Sequence, residues 1–186
     1  MAELRQNTWS LNAWYDQDYA GNVSYSGTNQ LWAVGSNSKG ELGQNNRTQY
    51  SSPAQIPGTT WTQVSSGSQL VLAIKSDNTL WSWGSNEVGE LGQNQAEGQL
   101  NSTSSPVQIP GTTWSKISTA GGNDAAAAIK TDGTLWTWGS NSQYGVLGHN
   151  ESGYNARKSS PTQVPGTTWY KIIQGGNENL YAFKQI

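Results

Sequence analysis

The eleven residues SSPAQIPGTTW (51–61) decide the fold, because they return as SSPVQIPGTTW (104–114) and SSPTQVPGTTW (159–169). The closing tryptophans are 53 residues (114 − 61) and 55 residues (169 − 114) apart. Recurrence at a fixed period is the signature of a repeat architecture. The chain is therefore predicted to be an array of similar units.

A second string also recurs once per unit: LWAVGSN (31–37), LWSWGSN (80–86) and LWTWGSN (135–141). Each unit then divides into four short segments, LWxWG, SPxQIP, TTWxxI and an apolar run such as LVLAIK (70–75). The pattern of short segments rich in β-branched and aromatic residues, separated by turn residues, predicts β-strands. The dipeptides Asp77-Asn78 and Asp132-Gly133 link the apolar run to the next LWxWG segment and favour two-residue type I′ hairpins.

The apolar run carries hydrophobic side chains on both faces, which predicts a strand that is buried between two other sheets. Four-stranded sheets stacked in this way are propeller blades. We therefore expect an all-β, propeller-like array of four-stranded blades in a single repeat domain, 1–186. It is divided into a degenerate N-terminal half blade or cap (1–30) and three full blades, of which the last ends with the chain: 31–79, 80–134 and 135–186.

The order of apolar run, DGTLWTWG (132–139), SN, GxLG and Pro-led strand resembles the regulator of chromosome condensation repeat, whose fold is a propeller, usually of seven blades. The resemblance covers nearly the whole chain. The family commonly has a His near the start of the apolar run, whereas the matching positions hold Leu70, Ala125 and Asn179. Any property that relied on that imidazole is absent. Nothing here matches the acidic surfaces through which the eukaryotic family member acts on its small nuclear GTPase, so exchange-factor activity is not carried over. The units also look like repeats of bacterial and marine bacteriophage proteins, which implies a component of a phage-like particle.

Composition excludes several classes of function. The net charge is −2 and Lys and Arg are scattered singly, so nucleic acid is a poor partner. The chain has no Cys, which excludes disulfides and thiolate metal sites. No signal peptide and no apolar stretch of membrane-spanning length is recognisable, so we expect no membrane insertion. The expected location is a virion, or the exterior after lysis, with the cytoplasm as the alternative.

Candidate catalytic groups are better explained by structure, and no cofactor is expected. The one histidine, His149, takes the place of Gln44 and Gln93 in the sister units. Asp77 and Asp132 occupy equivalent turns in different blades, and no nucleophile elbow is present. Glu41 and Glu90 are replaced by Val146 in the third unit, which favours a loop-bracing role. The chain is predicted not to be an enzyme.

Tryptophan recurs at two positions in each unit. Trp61, Trp114 and Trp169 hold one position, and Trp32, Trp81 and Trp136 hold the other. Such periodic aromatics are expected to pack between blades. Stacking on sugar rings, as in propeller lectins, is the alternative that uses the same residues.

The parts that differ between units are the loops after GQN or GHN, and loops on a rigid scaffold commonly carry recognition. The candidate binding residues there are Arg47, Tyr50, Gln99, Tyr154, Arg157 and Lys158. Outside the repeat, Trp14, Tyr15 and Tyr19 are candidates for assembly with a neighbouring subunit, or for capping of the core. The predicted function is protein binding, with self or virion subunits as partners. The alternatives are a lectin that binds cell-surface glycans and a bacterial interaction scaffold.

Overall fold

The computed structural model describes residues 29–95, 102–122, 124–176 and 178–186. These residues form strands and a single 3-10 turn at Tyr154–Ala156, so the predicted all-β class is confirmed. No helix in this part of the chain has the length and hydropathy needed to cross a bilayer. The strands are β1 (Trp32–Gly35), β2 (Tyr50–Gln55), β3 (Trp61–Ser66), β4 (Leu70–Lys75), β5 (Leu80–Ser85), β6 (Ser102–Ile109), β7 (Trp114–Thr119), β8 (Ala125–Lys130), β9 (Leu135–Gly139), β10 (Lys158–Val164), β11 (Trp169–Gly175) and β12 (Asn179–Lys184).

The strands build two four-stranded antiparallel sheets and two two-stranded ones. The first half-sheet is β1–β2, sheet I has the order β3-β4-β5-β6, sheet II contains β7-β8-β9-β10, and the last half-sheet is β11–β12. Each four-stranded sheet joins the last two strands of one sequence unit to the first two strands of the next. The sheets are therefore offset by half a unit from the limits 31–79, 80–134 and 135–186.

The expectation that the C-terminal residues close their own blade was wrong. Among the described residues β12 pairs only with β11, and its other edge has no strand partner. The expectation failed because an apolar-run strand is an inner strand of its sheet and pairs on both edges, as β4 does with β3 and β5. It therefore does not form the last strand of a blade. Residues 1–28 of the expected cap lie outside the described residues, and a single domain over 1–186 stays a prediction.

The hairpins between apolar run and LWxWG strand also differ from the predicted type I′ turn. Asn78 has a positive φ of 60°, and Asp77 is not among the residues with a positive φ. The amide of Asn78 donates to the Lys75 carbonyl at 2.9 Å, and that of Lys75 to the Thr79 carbonyl at 3.1 Å. This is a three-residue loop with its last residue left-handed. The Asp77 carboxylate stabilises the loop by accepting the Thr79 amide at 3.1 Å and hydroxyl at 2.6 Å.

The core lies between neighbouring sheets, with the apolar-run strands at its centre. Leu72 and Ile74 of β4 pack against sheet II, where they meet Ala126, Ala128 and Trp138. The opposite face of β4 packs, through Val71 and Ala73, on the first half-sheet. In β8 the alternate residues Ala127 and Ile129 pack against the last half-sheet. The two-sided burial predicted for the apolar runs is confirmed for both of these strands.

Candidate binding surfaces

The long connections β1–β2, β5–β6 and β9–β10 begin in the same braced way. The asparagine of each SN dipeptide is fully buried, and its Oδ1 accepts a backbone N–H five or six residues further on. The distances are 2.9 Å for Asn37 with Leu42, 3.0 Å for Asn86 with Leu91 and 3.0 Å for Asn141 with Leu147. The buried side-chain amide of each asparagine is hydrogen-bonded in this way and holds the turn in one conformation, although the turn is not part of a β-sheet. The loop conformation is thus set by the repeat.

The glutamate of the GELG segment adds a second brace. The fully buried Glu90 carboxylate accepts the backbone N–H groups of Glu87 at 3.1 Å and Val88 at 2.8 Å. Glu41 does the same for the Lys39 amide at 2.8 Å. Both carboxylates face their own loop, which supports the loop-bracing role predicted for them.

The first two long connections also hydrogen-bond to the next four-stranded sheet, so they follow one another along one side of the array. The amide of Asn45 donates to the Ser104 carbonyl at 2.7 Å, and that of Asn94 donates to the Ser159 carbonyl at 2.8 Å. An ion pair joins Lys39 to the following connection. We name this side the loop rim; it comprises the described residues of 36–49, 86–101 and 140–157.

The structure places most of the predicted binding residues on or beside the loop rim. Arg47 is exposed and its guanidinium donates to the hydroxyl of Ser102, at the start of β6. The hydroxyl of Tyr50 accepts a hydrogen bond from Asn46 at 3.1 Å. Lys158, the first residue of β10, pairs with Glu151 at 2.9 Å, and its neighbour Arg157 is half-buried.

The described structure does not bring the remaining predicted residues together with the binding candidates above. Tyr154 lies in the 3-10 turn of the third connection. Gln99 and the assembly candidates Trp14, Tyr15 and Tyr19 lie outside the described residues, so their roles stay predictions.

The recurrent tryptophans form a cluster with a lysine in each complete sheet. In sheet II the rings of Trp114 and Trp136 meet edge to face, with centroids 6.2 Å apart. The ammonium of Lys130 lies 4.8 Å and 4.1 Å from their centroids, which is cation–π geometry. Trp61, Trp81 and Lys75 repeat the arrangement in sheet I. These contacts lie within one sheet, not between blades as predicted; of the four tryptophans, Trp114 also belongs to the core between sheets I and II.

A groove of about 270 Å³ lies between sheets I and II, beside the Trp–Lys–Trp cluster of sheet II. Its walls are Gln93 and Asn94 from the rim, Pro110 from the turn after β6, and Pro161 of β10. A sugar ring stacks on an open aromatic face, and here Lys130 lies over both indoles. The groove is therefore open to polar contact, and Lys130 already lies over one face of each indole.

The titratable groups do not assemble into a catalytic constellation in the described part of the chain. Burial lowers the pKa of His149, and its Nε2 lies 2.9 Å from the Thr137 hydroxyl. That hydroxyl is buried and also donates to the Leu147 carbonyl at 2.7 Å, so it is a structural group. Hydrogen bonds from Thr79 and Thr134 lower the pKa values of Asp77 and Asp132, as turn-capping carboxylates require. No cluster of three potential metal ligands occurs among these residues.

Among the described residues, Asp124 is the carboxyl group whose pKa is strongly raised, to about 6. Burial is the main cause, and the charges of Glu90 and Glu87 add to it. Asp124 is half-buried, directly precedes β8 with a positive φ of 48°, and was not singled out by the sequence. Its ionisation therefore makes the stability of the fold depend on pH.

The two ends of the array expose large apolar side chains that sequence reasoning missed. On the last half-sheet these are Tyr170, Ile173, Tyr181 and Phe183; at the other end they are Trp32, Val34 and Val64. The sequence did contain a signal for the exposed residues of the last half-sheet, because the residue type changes there relative to the equivalent positions of sheet I. Tyr181 and Phe183 replace Leu72 and Ile74, and Ile173 replaces Ser65, whose hydroxyl lies 3.0 Å from that of Thr119 in the next sheet.

The repeat, its four strands and the order of the sheets agree with a known family. The family model described as "Regulator of chromosome condensation (RCC1) repeat" matches residues 28–74, 77–129 and 132–176, and a second model of the same description matches 61–90 and 116–145. The chain belongs to the RCC1 repeat family. No curated protein matched it.

Solved structures show the same fold as this RCC1-repeat chain. Yeast RCC1 (Prp20) bound to Kap60 superposes with a TM-score of 0.65 at 21% identity, over 80% of this chain and 36% of that one. Prp20p from Saccharomyces cerevisiae gives a TM-score of 0.69 at 21% identity, over 84% of this chain and 39% of that one. This chain thus spans less than two fifths of the length of either relative.

Proposed function

We propose that this RCC1-repeat chain is a non-enzymatic binding module that acts through protein contacts on its loop rim. The main support is that the two halves of each long connection differ in character. Its first half is held by the same buried asparagine in all three units, whereas its second half differs in length and sequence. A rigid support that displays variable, solvated segments is the usual arrangement of a recognition surface.

The chemistry of the rim suits a protein partner. Arg47 is exposed, and Tyr144 is 63% exposed. Both residue types are common in protein interfaces, and a tyrosine offers a large, rigid contact area at low entropic cost. Relatives point to the same class of partner. Yeast RCC1 (Prp20) is found bound to Kap60, and Prp20p is described as binding Gsp1p and histones. What we carry over is the class of interaction, not the identity of those partners.

A photo-crosslinking side chain at Tyr144 or Arg47, introduced in the organism of origin, tests the rim. We expect adducts with one defined protein from both positions. The control is the same side chain at Thr59, which is exposed in the turn at the opposite end of β2. Equal adducts from Thr59, or none from the rim, would remove the support for this function.

A glycan-binding lectin is the second candidate, and the groove beside Trp114 and Trp136 favours it. A glycan array separates the two functions, since only a lectin binds a defined sugar without any protein partner. We rank the lectin below protein binding because Lys130 covers both indoles. Replacing Trp136 with Ala should abolish glycan binding if the groove is the site.

The biological setting is a further part of the proposal. We place the chain in a phage-like particle, as a tail, capsid-decoration or host-attachment subunit, and a bacterial interaction scaffold is the alternative. This rests on the resemblance of the repeat units. Mass spectrometry of density-purified particles tests it, since a scaffold of the cell stays in the particle-free fraction.

A further inference from the structure

We propose that two copies of this chain associate head to tail, with β1 of one copy adding to the free edge of β12 in the other. The addition completes the last half-sheet as a four-stranded sheet. An unpaired strand edge is a template for pairing with another chain, and proteins seldom leave it open. This inference is independent of the function proposed for the loop rim.

The same kind of strand pair occurs twice inside the chain, as β4–β5 and β8–β9, and these two pairs give the register expected between copies. In sheet I, β4 pairs with β5 so that Ala73 lies opposite Trp81. In sheet II, β8 pairs with β9 so that Ala128 lies opposite Trp136. β12 is the equivalent of β4 and β8, because Trp169 lies opposite Lys184 as Trp61 lies opposite Lys75.

The equivalent of β5 and β9 at the other end of the chain is β1, the LWAVG strand. Carrying the internal register over places Trp32 of one copy opposite Ala182 of the other, and Ala33 opposite Tyr181. Both edges are free of a strand partner among the described residues. The pairing thus uses two edges that the internal sheets show to be complementary.

Each end also holds half of a Trp–Lys–Trp cluster. Lys184 lies 5.5 Å from the ring centroid of Trp169, and the described residues provide it with no second tryptophan, whereas Lys75 and Lys130 each contact two. Trp32 has the equivalent position of the missing ring and is 52% exposed. Pairing of β1 with β12 brings Trp32 to Lys184.

The apolar faces match as well. Leu72 and Ile74 of β4 pack against the following sheet, but their equivalents Tyr181 and Phe183 are 58% and 44% exposed. In the pairing they face sheet I of the second copy. A cavity of about 470 Å³ lies there, lined by apolar residues that include Leu31, Val34, Ile56, Val64, Val71 and Trp83.

The residues that precede β1 in the same chain are the competing occupant. In sequence, Ser26 stands five residues before Leu31, where Lys75 stands before Leu80 and Lys130 before Leu135. The RCC1 repeat match also begins only at residue 28. The chain's own N-terminal segment therefore lacks the lysine that Trp32 would meet on β12, which favours the second copy.

Head-to-tail contacts close into a ring when the rotation between copies permits it. The described residues of each copy supply two complete sheets and two halves, so those of two copies make six four-stranded sheets. The expected species is a dimer of twice 20.0 kDa, measured by sedimentation equilibrium of the full chain.

Cysteine pairs test the register, since the natural chain has no Cys. Tyr181→Cys in one preparation is mixed with Ala33→Cys in another, because opposite Cα atoms in an antiparallel pair lie within disulfide range. We expect a disulfide-linked dimer from the mixture and none from either variant alone. Tyr181→Cys mixed with Tyr144→Cys is the control, since Tyr144 lies on the loop rim. Equal cross-linking in the control, or none with Ala33→Cys, would overturn the register.

A second pair of variants tests the surface without touching the core. Tyr181→Arg adds a charge at an exposed position of the proposed junction, and Tyr144→Arg adds it at an exposed position elsewhere. We expect the first to reduce dimer formation at least tenfold and the second to leave it unchanged. A monomeric chain, or a dimer that survives Tyr181→Arg, would overturn the proposal.

Discussion

The indole Nε1 of Trp138 donates a 2.9 Å hydrogen bond to the backbone carbonyl of Glu90, which belongs to the preceding connection of the loop rim. Trp83 makes the same bond to the carbonyl of Glu41, at 2.8 Å. The second tryptophan of each LWxWG string is thus both a core side chain and the clamp that holds the rim to the next sheet. In the first unit Val34 takes this position, and a valine cannot donate that bond.

Trp138→Phe should lower the free energy of unfolding by about 1–3 kcal/mol, because it keeps most of the ring but leaves a buried carbonyl unsatisfied. Urea denaturation followed by circular dichroism measures the loss. Trp136→Phe is the matched control, since its indole donates to the part-buried hydroxyl of Thr134 at 2.8 Å. An equal loss in the control would show that ring size, not the clamp, is responsible.

Gly84→Ala should be severely destabilising, by more than about 3 kcal/mol. Gly84 has a φ of +104°, and a Cβ there would lie 2.0 Å from the carbonyl oxygen of Gln69. Gly153→Ala is the control, because Gly153 also has a positive φ (+91°) but nothing lies within 4 Å of its Cβ position. It should cost only the strain of the backbone, about 1–3 kcal/mol. Thermal melting of both variants makes the comparison, and similar losses would contradict it.

Asp124→Asn should stabilise the chain at pH 7 by about 1 kcal/mol, a value reduced for the partial exposure of the group. The fold raises the pKa of this carboxyl to about 6, so it favours the protonated form. The associated stability is present below pH 4 and is lost as the pH rises through 6. The gain from Asn should therefore disappear at pH 4. Denaturation at pH 4, 5.5 and 7 measures it.

Asp132→Asn is the control of opposite sign for that experiment. Hydrogen bonds from Thr134 lower the pKa of Asp132, so its ionised form stabilises the fold above its ordinary pKa. The variant should lose stability at pH 7, and the loss should shrink as the pH falls. A gain at pH 7 in both variants would indicate a general effect of removing negative charge.

His149→Gln should change the stability at pH 7 by less than about 0.5 kcal/mol. Gln93 occupies the equivalent position and donates to the carbonyls of Leu91 and Gln108 at 3.4 Å and 3.2 Å. Burial lowers the pKa of His149, so protonation is less favourable in the fold and the natural chain should lose stability as the pH falls below 6.5. The variant should lack this loss between pH 7 and 5. A large loss at pH 7 would show that His149 has a specific role.

The strands were predictable because the repeat places the same short patterns three times over. The apolar run from Leu70 to Lys75 is the clearest case, since its two apolar faces predicted a strand between two sheets and β4 is one. The turn after it was misjudged, because the side chain of Asp77 stabilises a three-residue loop that the dipeptide alone does not reveal.

The grouping of strands into sheets could not be obtained from the repeat, because a period fixes the order of strands but not the point at which one sheet ends. The exposed Tyr181 and Phe183 were missed for that reason. Assigning them to a closed blade made their strand edge appear paired. The cluster of Lys130 with two indoles was likewise hidden, since Trp114 and Trp136 belong to different sequence units.

The half-unit offset between repeat and sheet has a consequence for how such a chain can grow. Every four-stranded sheet is assembled from two neighbouring units, so a cut at a unit boundary passes through a sheet and not between sheets. A unit gained by gene duplication arrives with half a sheet on each side, and its neighbours already hold the complementary halves. The array can therefore be lengthened or shortened by whole units while the chemistry of its two ends is preserved.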